Sequence, residues 1–197
     1  MPSGVDLFDD LAFASPSRVF ATTSTLAGAC AVVSAALPGS WLESDWLSEF
    51  RGRPQWATAS VGASTFAYVL GGYSDADSGN VVLATGDGAQ VHADGTTGPS
   101  FSVSPLPQPT TFGASASADD WVFVIGGRAA IFSPTPRPDV VSAQASPIGT
   151  LGVWGAQASL PAPRSNMSAV VAGNYLYVLG GAAATTVDTV FAAQVRF

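Results

Sequence analysis

The sequence predicts an all-β fold made of repeated four-stranded antiparallel sheets. Three observations carry that prediction. Apolar segments at residues 66–72, 120–127 and 175–181 each close on a double glycine (Gly71 and Gly72, Gly126 and Gly127, Gly180 and Gly181), so the second glycines stand 55 and 54 residues apart. A proline lies 17 residues before the first glycine of each pair, at Pro54, Pro109 and Pro163. The 21 Gly and 14 Pro among 197 residues suit a turn-rich β chain and not a helical bundle.

Within one unit the elements follow in order. Two apolar runs flank Gly173 and Asn174, a two-residue hairpin signal because such turns need residues tolerant of positive φ. Residues 62–65 and 117–121 occupy the equivalent turns. The double glycine ends the second strand. A polar loop then leads to a β-branched third-strand run at 81–84, 140–143 and 190–193. A further signature runs from Gly95 past Phe101 to Leu106 and Pro107, and again from Gly149 past Trp154 to Leu160 and Pro161. Gly95 to Gly149 and Leu106 to Leu160 are both 54 residues, and each signature marks a fourth strand. Four short strands in a repeat of this length make the blade of a β-propeller.

The strings Tyr177-Val178-Leu179-Gly180-Gly181 and Trp121-Val122-Phe123-Val124-Ile125-Gly126-Gly127 resemble the kelch motif, whose double glycine closes the second strand of a blade. The Trp154 position and the stretch from Leu160 to Arg164 are also similar to kelch repeats, especially the long-spaced bacterial kind. The resemblance covers three copies and implies a kelch-type β-propeller. The glycines are expected where backbone and large side chains approach too closely for a Cβ, and Phe101 and Trp154 are expected to fill the gap between adjacent blades. Blades are expected at 54–107, 108–161 and 162–197, the last lacking its fourth strand. Four units of about 50 residues are the lower limit for closure, so the expectation is a partial propeller of three to four blades. The expectation is an open arc, completed by self-association or by lost sequence; a small ring closed where the N-terminal half-blade meets the last blade is the other reading.

The N-terminal third is degenerate. Residues 1–17 read as a tail, and 18–53 as the outer half of a preceding blade with an insertion. In that reading Val19-Phe20-Ala21 matches the third-strand runs. Trp41, Leu42, Trp46, Leu47 and Phe50 recur near helical spacing, so a short amphipathic helix, a covered blade edge and a docking patch all stay open. Asp6, Asp9 and Asp10 are the wrong charge for a signal-peptide n-region. A mis-started export signal over the weakly apolar stretch 19–37 is the other reading, while its Ser and Thr content makes a membrane span poor.

Charge and side-chain counts exclude several chemistries. The seven basic residues are all Arg, and 14 acidic residues set the net charge at −7, the wrong sign for nucleic acid or an anionic membrane. One Cys (Cys30) and one His (His92) rule out an internal disulfide, a zinc site of several His and Cys ligands, and the Cys–Tyr and His set of copper-radical sugar oxidases. Asp75, Asp77, Gly79 and Asn80 miss the calcium-loop spacing, and Asp87, His92 and Asp94 read as solvated side chains of a surface loop rather than a ligand set. No cofactor, metal or catalytic residue is expected.

Kelch propellers commonly contact partners through the loops between the second and third strands of a blade and the connectors from its fourth strand to the next blade's first, which share one face. The resemblance therefore implies a non-catalytic module binding a protein or glycan through Tyr73, Asp75, Asp77, Asn80, Arg128 and Arg137, with Arg51, Arg53, Thr110 and Arg164 at those connectors. Arg164 either recognises a carboxylate or ties neighbouring blades together. The alternatives are a carbohydrate-active enzyme of the sialic acid mutarotase or sugar oxidase kind, and a structural remnant without ligand.

Overall fold

The structure, a computed structural model, describes the backbone of residues 11–14, 18–24, 30–36 and 41–44, and residues 47–74 and 81–196 with their side chains. Asp75, Asp77 and Asn80, the loop around Gly79, and Trp46 lie outside these residues. Among the described residues there is no helix.

Four sheets follow one another along the chain. The first contains β1 (Leu11–Ala14), β2 (Arg18–Ser24), β3 (Cys30–Ala36) and β4 (Trp41–Ser44), paired antiparallel in that order. The next sheet contains β5 (Gln55–Val61), β6 (Ser64–Leu70), β9 (Gly86–Val91) and β10 (Phe101–Ser102). Between β6 and β9 runs a two-stranded ribbon of β7 (Tyr73–Ser74) and β8 (Val81–Val82). The third sheet has β11 (Ala114–Ala118), β12 (Trp121–Ile125), β13 (Val140–Gln144) and β14 (Gly155–Ala156); the fourth has β15 (Ser168–Ala172), β16 (Tyr175–Leu179) and β17 (Val190–Gln194). The first strands β1, β5, β11 and β15 approach one another in succession, as the inner strands of neighbouring propeller blades do.

The hairpin signals translate directly. Ala118 pairs with Trp121 and Ala172 with Tyr175, leaving two-residue turns that begin at Asp119 (φ 50°) and Gly173 (φ 57°). Each blade interior then packs on the next through alternate residues of its second strand. Phe66, Tyr68 and Leu70 meet Val122 and Val124 of the following blade. Phe123 and Ile125 meet Leu176 and Val178. On the other face of the β5–β6–β9 sheet, Trp56, Ala67, Val69 and Ala89 form a third cluster with Leu47. The counterparts of Tyr68 and Leu70 in the last blade are Tyr177 and Leu179, and Leu179 is 41% exposed beside Tyr175 and Val170. Among the described residues nothing covers that face, so the arc is open there.

The double glycines work as expected. The N–H of Gly72 donates to the Thr110 carbonyl of the next connector at 2.8 Å, and that of Gly127 to the Arg164 carbonyl at 2.8 Å. All six glycines have φ between 57° and 93°. Trp154 and Phe101 fill the gap between the second and third sheets: Trp154 donates its indole N–H to the Ser104 carbonyl at 3.0 Å, and Phe101 packs edge-on to Phe66 with ring centroids 6.3 Å apart.

Two expectations are corrected. The third strand of the 54–107 blade is Gly86–Val91, not 81–84, whose valines pair with Tyr73 and Ser74 instead. Glycine and aspartate are poor strand formers, but a Cβ on Gly88 would lie 2.7 Å from the Phe101 ring and one on Gly86 2.7 Å from Leu70. The packing therefore demands the residues that hide the strand from a propensity reading. In the N-terminal third, β2 pairs on both sides, with β1 and with β3, so the run at Val19 and Phe20 is a second strand and not a third. The expected tail contributes β1, and Trp41 and Leu42 lie in a strand rather than a helix. No double glycine follows β2, which removed the landmark that set the register elsewhere.

Candidate functional site

Three connectors carry the chain from one blade into the next, and each pairs with the residue that follows a double glycine. Gly52 bridges Tyr73, Thr111 bridges Arg128, and Ser165 bridges Ala182. The loops that follow the second strand of each blade and the connectors that lead into the first strand of each blade thus share one face.

The residue after each bridging position is non-glycine yet left-handed: Arg53 (φ 49°), Phe112 (φ 55°) and Asn166 (φ 53°). L-residues adopt this conformation at a cost of order 1–2 kcal/mol, and it clusters at sites where the surroundings over-determine the backbone. Here the surroundings are the neighbouring connectors. Phe112 N–H donates to the Arg53 carbonyl at 3.4 Å, and Asn166 N–H donates to the Phe112 carbonyl at 2.8 Å. The three connectors hang together at the mouth of the propeller axis.

Their side chains gather around one ring. The Arg53 and Arg128 guanidinium carbons lie 5.9 and 5.7 Å from the Phe112 centroid, within cation–π range. Tyr73 stacks on Phe112 at 6.4 Å and Phe50 meets Tyr73 edge-on at 6.5 Å. Arg128 is half-buried; its Nε donates to Ser165 Oγ at 3.0 Å, and it pairs with no carboxylate of the described residues. Beside this cluster a hollow of about 220 Å³ is lined by Arg53, Phe112, Gly113, Asn166 and Ser168. The result is a small basic-aromatic surface on a chain whose net charge is −7.

The other expected residues are engaged within the fold. Arg164 is 5% exposed and donates to the Gly180 carbonyl at 2.9 Å and to Thr189 Oγ1 at 2.6 Å, with its guanidinium 4.4 Å from the Phe191 centroid. Its main chain joins the Arg137 and Gly127 backbones, so Arg164 ties two blades together. Arg137 donates to Gln108 Oε1, the Pro109 carbonyl and Thr110 Oγ1, clasping the preceding connector. Thr110 is buried in that clasp. Arg51 is 3% exposed and bonds Asp87 Oδ2, itself on a 2% exposed residue, together with the Gly71 and Thr85 carbonyls. Asp94 accepts from Thr96, apart from Asp87. Among the described residues no three His, Cys, Asp or Glu side chains gather as a metal site would require. Sequence reading missed Phe112 and Asn166: neither has a motif, and only their positions after the bridging residues of the connectors distinguish them.

Successive four-stranded antiparallel sheets packed face to face around their first strands define a β-propeller protein. Among solved structures, the chain is similar to the one titled "Structure of YjhT", with a TM-score of 0.64 over 84% of this chain and 50% of that one at 13% identity. The chain therefore spans about half the length of that structure. Neither a family model nor a curated protein matches the chain. No helix among the described residues is long and apolar enough to cross a membrane.

Proposed function

We propose that the chain is a kelch-type propeller segment, with repeats at 54–107, 108–161 and 162–197, that binds a carboxylate-bearing glycan at the mouth face without catalysis. The observation that carries this reading is the half-buried Arg128, aimed by Ser165 and Phe112 and paired with no carboxylate of the described residues. A guanidinium held in this way offers its remaining N–H donors to a planar anion. The adjacent Phe112 and Tyr73 rings supply the flat apolar surface on which a sugar face stacks. The chain's overall negative charge opposes an anionic ligand only at long range, and salt screens that term beyond about 8–10 Å.

Titration of the protein with acidic and neutral oligosaccharides tests the reading. Saturable binding of the acidic sugars is expected, weakened tenfold or more by Arg128→Ala. Because Arg128→Ala also removes the donor to the buried Ser165 hydroxyl, the two proteins are compared at a temperature well below both melting transitions. Equal affinity for acidic and neutral sugars, or an affinity that ignores Arg128, overturns it. NMR of the bound sugar distinguishes the enzyme alternative, since isomerisation or oxidation would appear as new anomeric or carbonyl signals.

A further inference from the structure

A second site lies outward from the mouth, in the cleft between the blades of residues 54–107 and 108–161. A cavity of about 310 Å³ opens there. The buried Val124 and Trp154 form its apolar floor, with Ala156 of β14 on one side and the connector that follows Leu106 on the other. The Trp154 indole N–H is already bonded to the Ser104 carbonyl, so the ring offers the cavity apolar surface and no donor.

Four polar side chains reach this cavity from three stretches of chain. Gln108 comes from the connector, Arg137 and Asp139 from the approach to β13, and Gln157 from the end of β14. Three of them keep unused capacity. Gln108 Oε1 accepts from Arg137 Nη1, which leaves the Gln108 amide N–H groups unpaired among the described residues. Gln157 donates through Nε2 to Ser142 Oγ at 2.9 Å, which leaves its Oε1 to accept. The Asp139 side chain is 58% exposed, and its carboxylate faces Arg137 Nε at 3.8 Å. The donors are also held in place: the arginine that fixes Gln108 clasps the Pro109 carbonyl and Thr110 Oγ1 of the neighbouring blade's connector.

We propose that this cleft binds a neutral hydroxylated ring, a single sugar residue or a cyclic polyol, independently of the mouth. Arg137 and Asp139 balance one another at the rim, so an ionic ligand gains little from either. A hydroxyl both donates and accepts. Neighbouring hydroxyls of one ring therefore meet the Gln108 N–H groups, the Gln157 oxygen and the Asp139 carboxylate together, while the ring's C–H face lies on Trp154 and Val124. A lone amide group, with its donors and acceptor in one plane, cannot serve partners spread over three stretches of chain. Size sets the limit, because small-molecule sites run from about 300 to 1,000 Å³ and this cavity stands at the lower end, with room for one ring. Preorganised side chains lower the ordering cost of binding.

The probes are methyl α-glucoside, methyl α-galactoside and myo-inositol, titrated into the whole isotope-labelled protein and followed by NMR. At least one should bind saturably in the millimolar range, shifting the Trp154 indole signal and the side-chain amide signals of Gln108 and Gln157. The backbone amides of Phe112 and Asn166 at the mouth should stay still. Glucuronate should move the cleft signals no more readily than the neutral rings do. An exposed ion pair adds little stability, so Asp139→Ala should weaken binding tenfold or more with the melting temperature nearly unchanged. Ala156 is exposed at the cavity's border, and Ala156→Phe should block the site. No shift of the cleft signals at hundreds of millimolar probe overturns the proposal. So do shifts at Phe112 and Asn166 in their place, a clear preference for glucuronate, or binding that survives both variants. Failure of acidic oligosaccharides to bind at the mouth would not alter these outcomes, so the two readings fail separately.

Discussion

Gly126→Val is expected to destabilise the protein by about 2–5 kcal/mol, from two costs that add. The first is a β-branched residue forced to φ 57°, of order 1–2 kcal/mol. The second is overpacking, typically about 1–3 kcal/mol, because a Cβ there would lie 2.6 Å from the Arg164 carbonyl oxygen and 2.6 Å from Met167 of the next blade. Gly180 isolates the first cost from the second. Its φ is 61°, but its nearest neighbour would be the Val187 carbonyl at 3.3 Å, since no further blade stands against it among the described residues. Gly180→Val should therefore cost only about 1–2 kcal/mol. Urea unfolding of the two variants separates the terms, and equal losses would mean that the blades do not meet where the double glycine places them.

Arg51→Met is expected to cost about 3–5 kcal/mol, the usual result of removing one partner from a buried ion pair. Arg51 Nη2 lies 3.2 Å from Asp87 Oδ2, and both side chains are almost fully buried. Without the guanidinium, Asp87 keeps only the Ser48 N–H and hydroxyl as donors, the Gly71 carbonyl loses the arginine donor, and the Thr85 carbonyl keeps only the Gly71 N–H. The double variant Arg51→Met with Asp87→Leu removes the stranded charge and should recover most of the loss, measured again by urea unfolding. A double variant as unstable as the single would show that the arginine acts through its carbonyl contacts and not through Asp87.

The pair also shows where sequence reading stopped. Arg51 was expected in a binding loop and Asp87 on the surface. Their burial depends on the glycine-bearing strand Gly86–Val91, whose composition conceals it. The blade repeat was legible because its landmarks are demanded by backbone geometry: positive φ at the double glycines and the hairpin turns leaves few residue choices, so the pattern recurs at a constant spacing. The mouth was only partly legible. Tyr73 and Arg128 each follow a double glycine, so the motif fixes their place beside the connectors. Phe112 and Asn166 occupy left-handed positions without glycine, held by hydrogen bonds between connectors that are distant in sequence. Arg164 was readable only as two alternatives, and the Gly180 carbonyl and Thr189 that settle it as a tie are brought to it by the fold of the last blade.

The central claim is that the second glycine of a pair is the hydrogen-bonded seam wherever a further blade stands against it, as at Gly72 and Gly127. Amide hydrogen exchange at Gly72, Gly127 and Gly181 tests it most directly. Gly72 and Gly127 donate across the seam to Thr110 and Arg164, while Gly181 has no acceptor among the described residues. Slow exchange at Gly72 and Gly127 with fast exchange at Gly181 is the predicted result; three equally fast amides, or a protected Gly181 beside an unprotected Gly127, would contradict it.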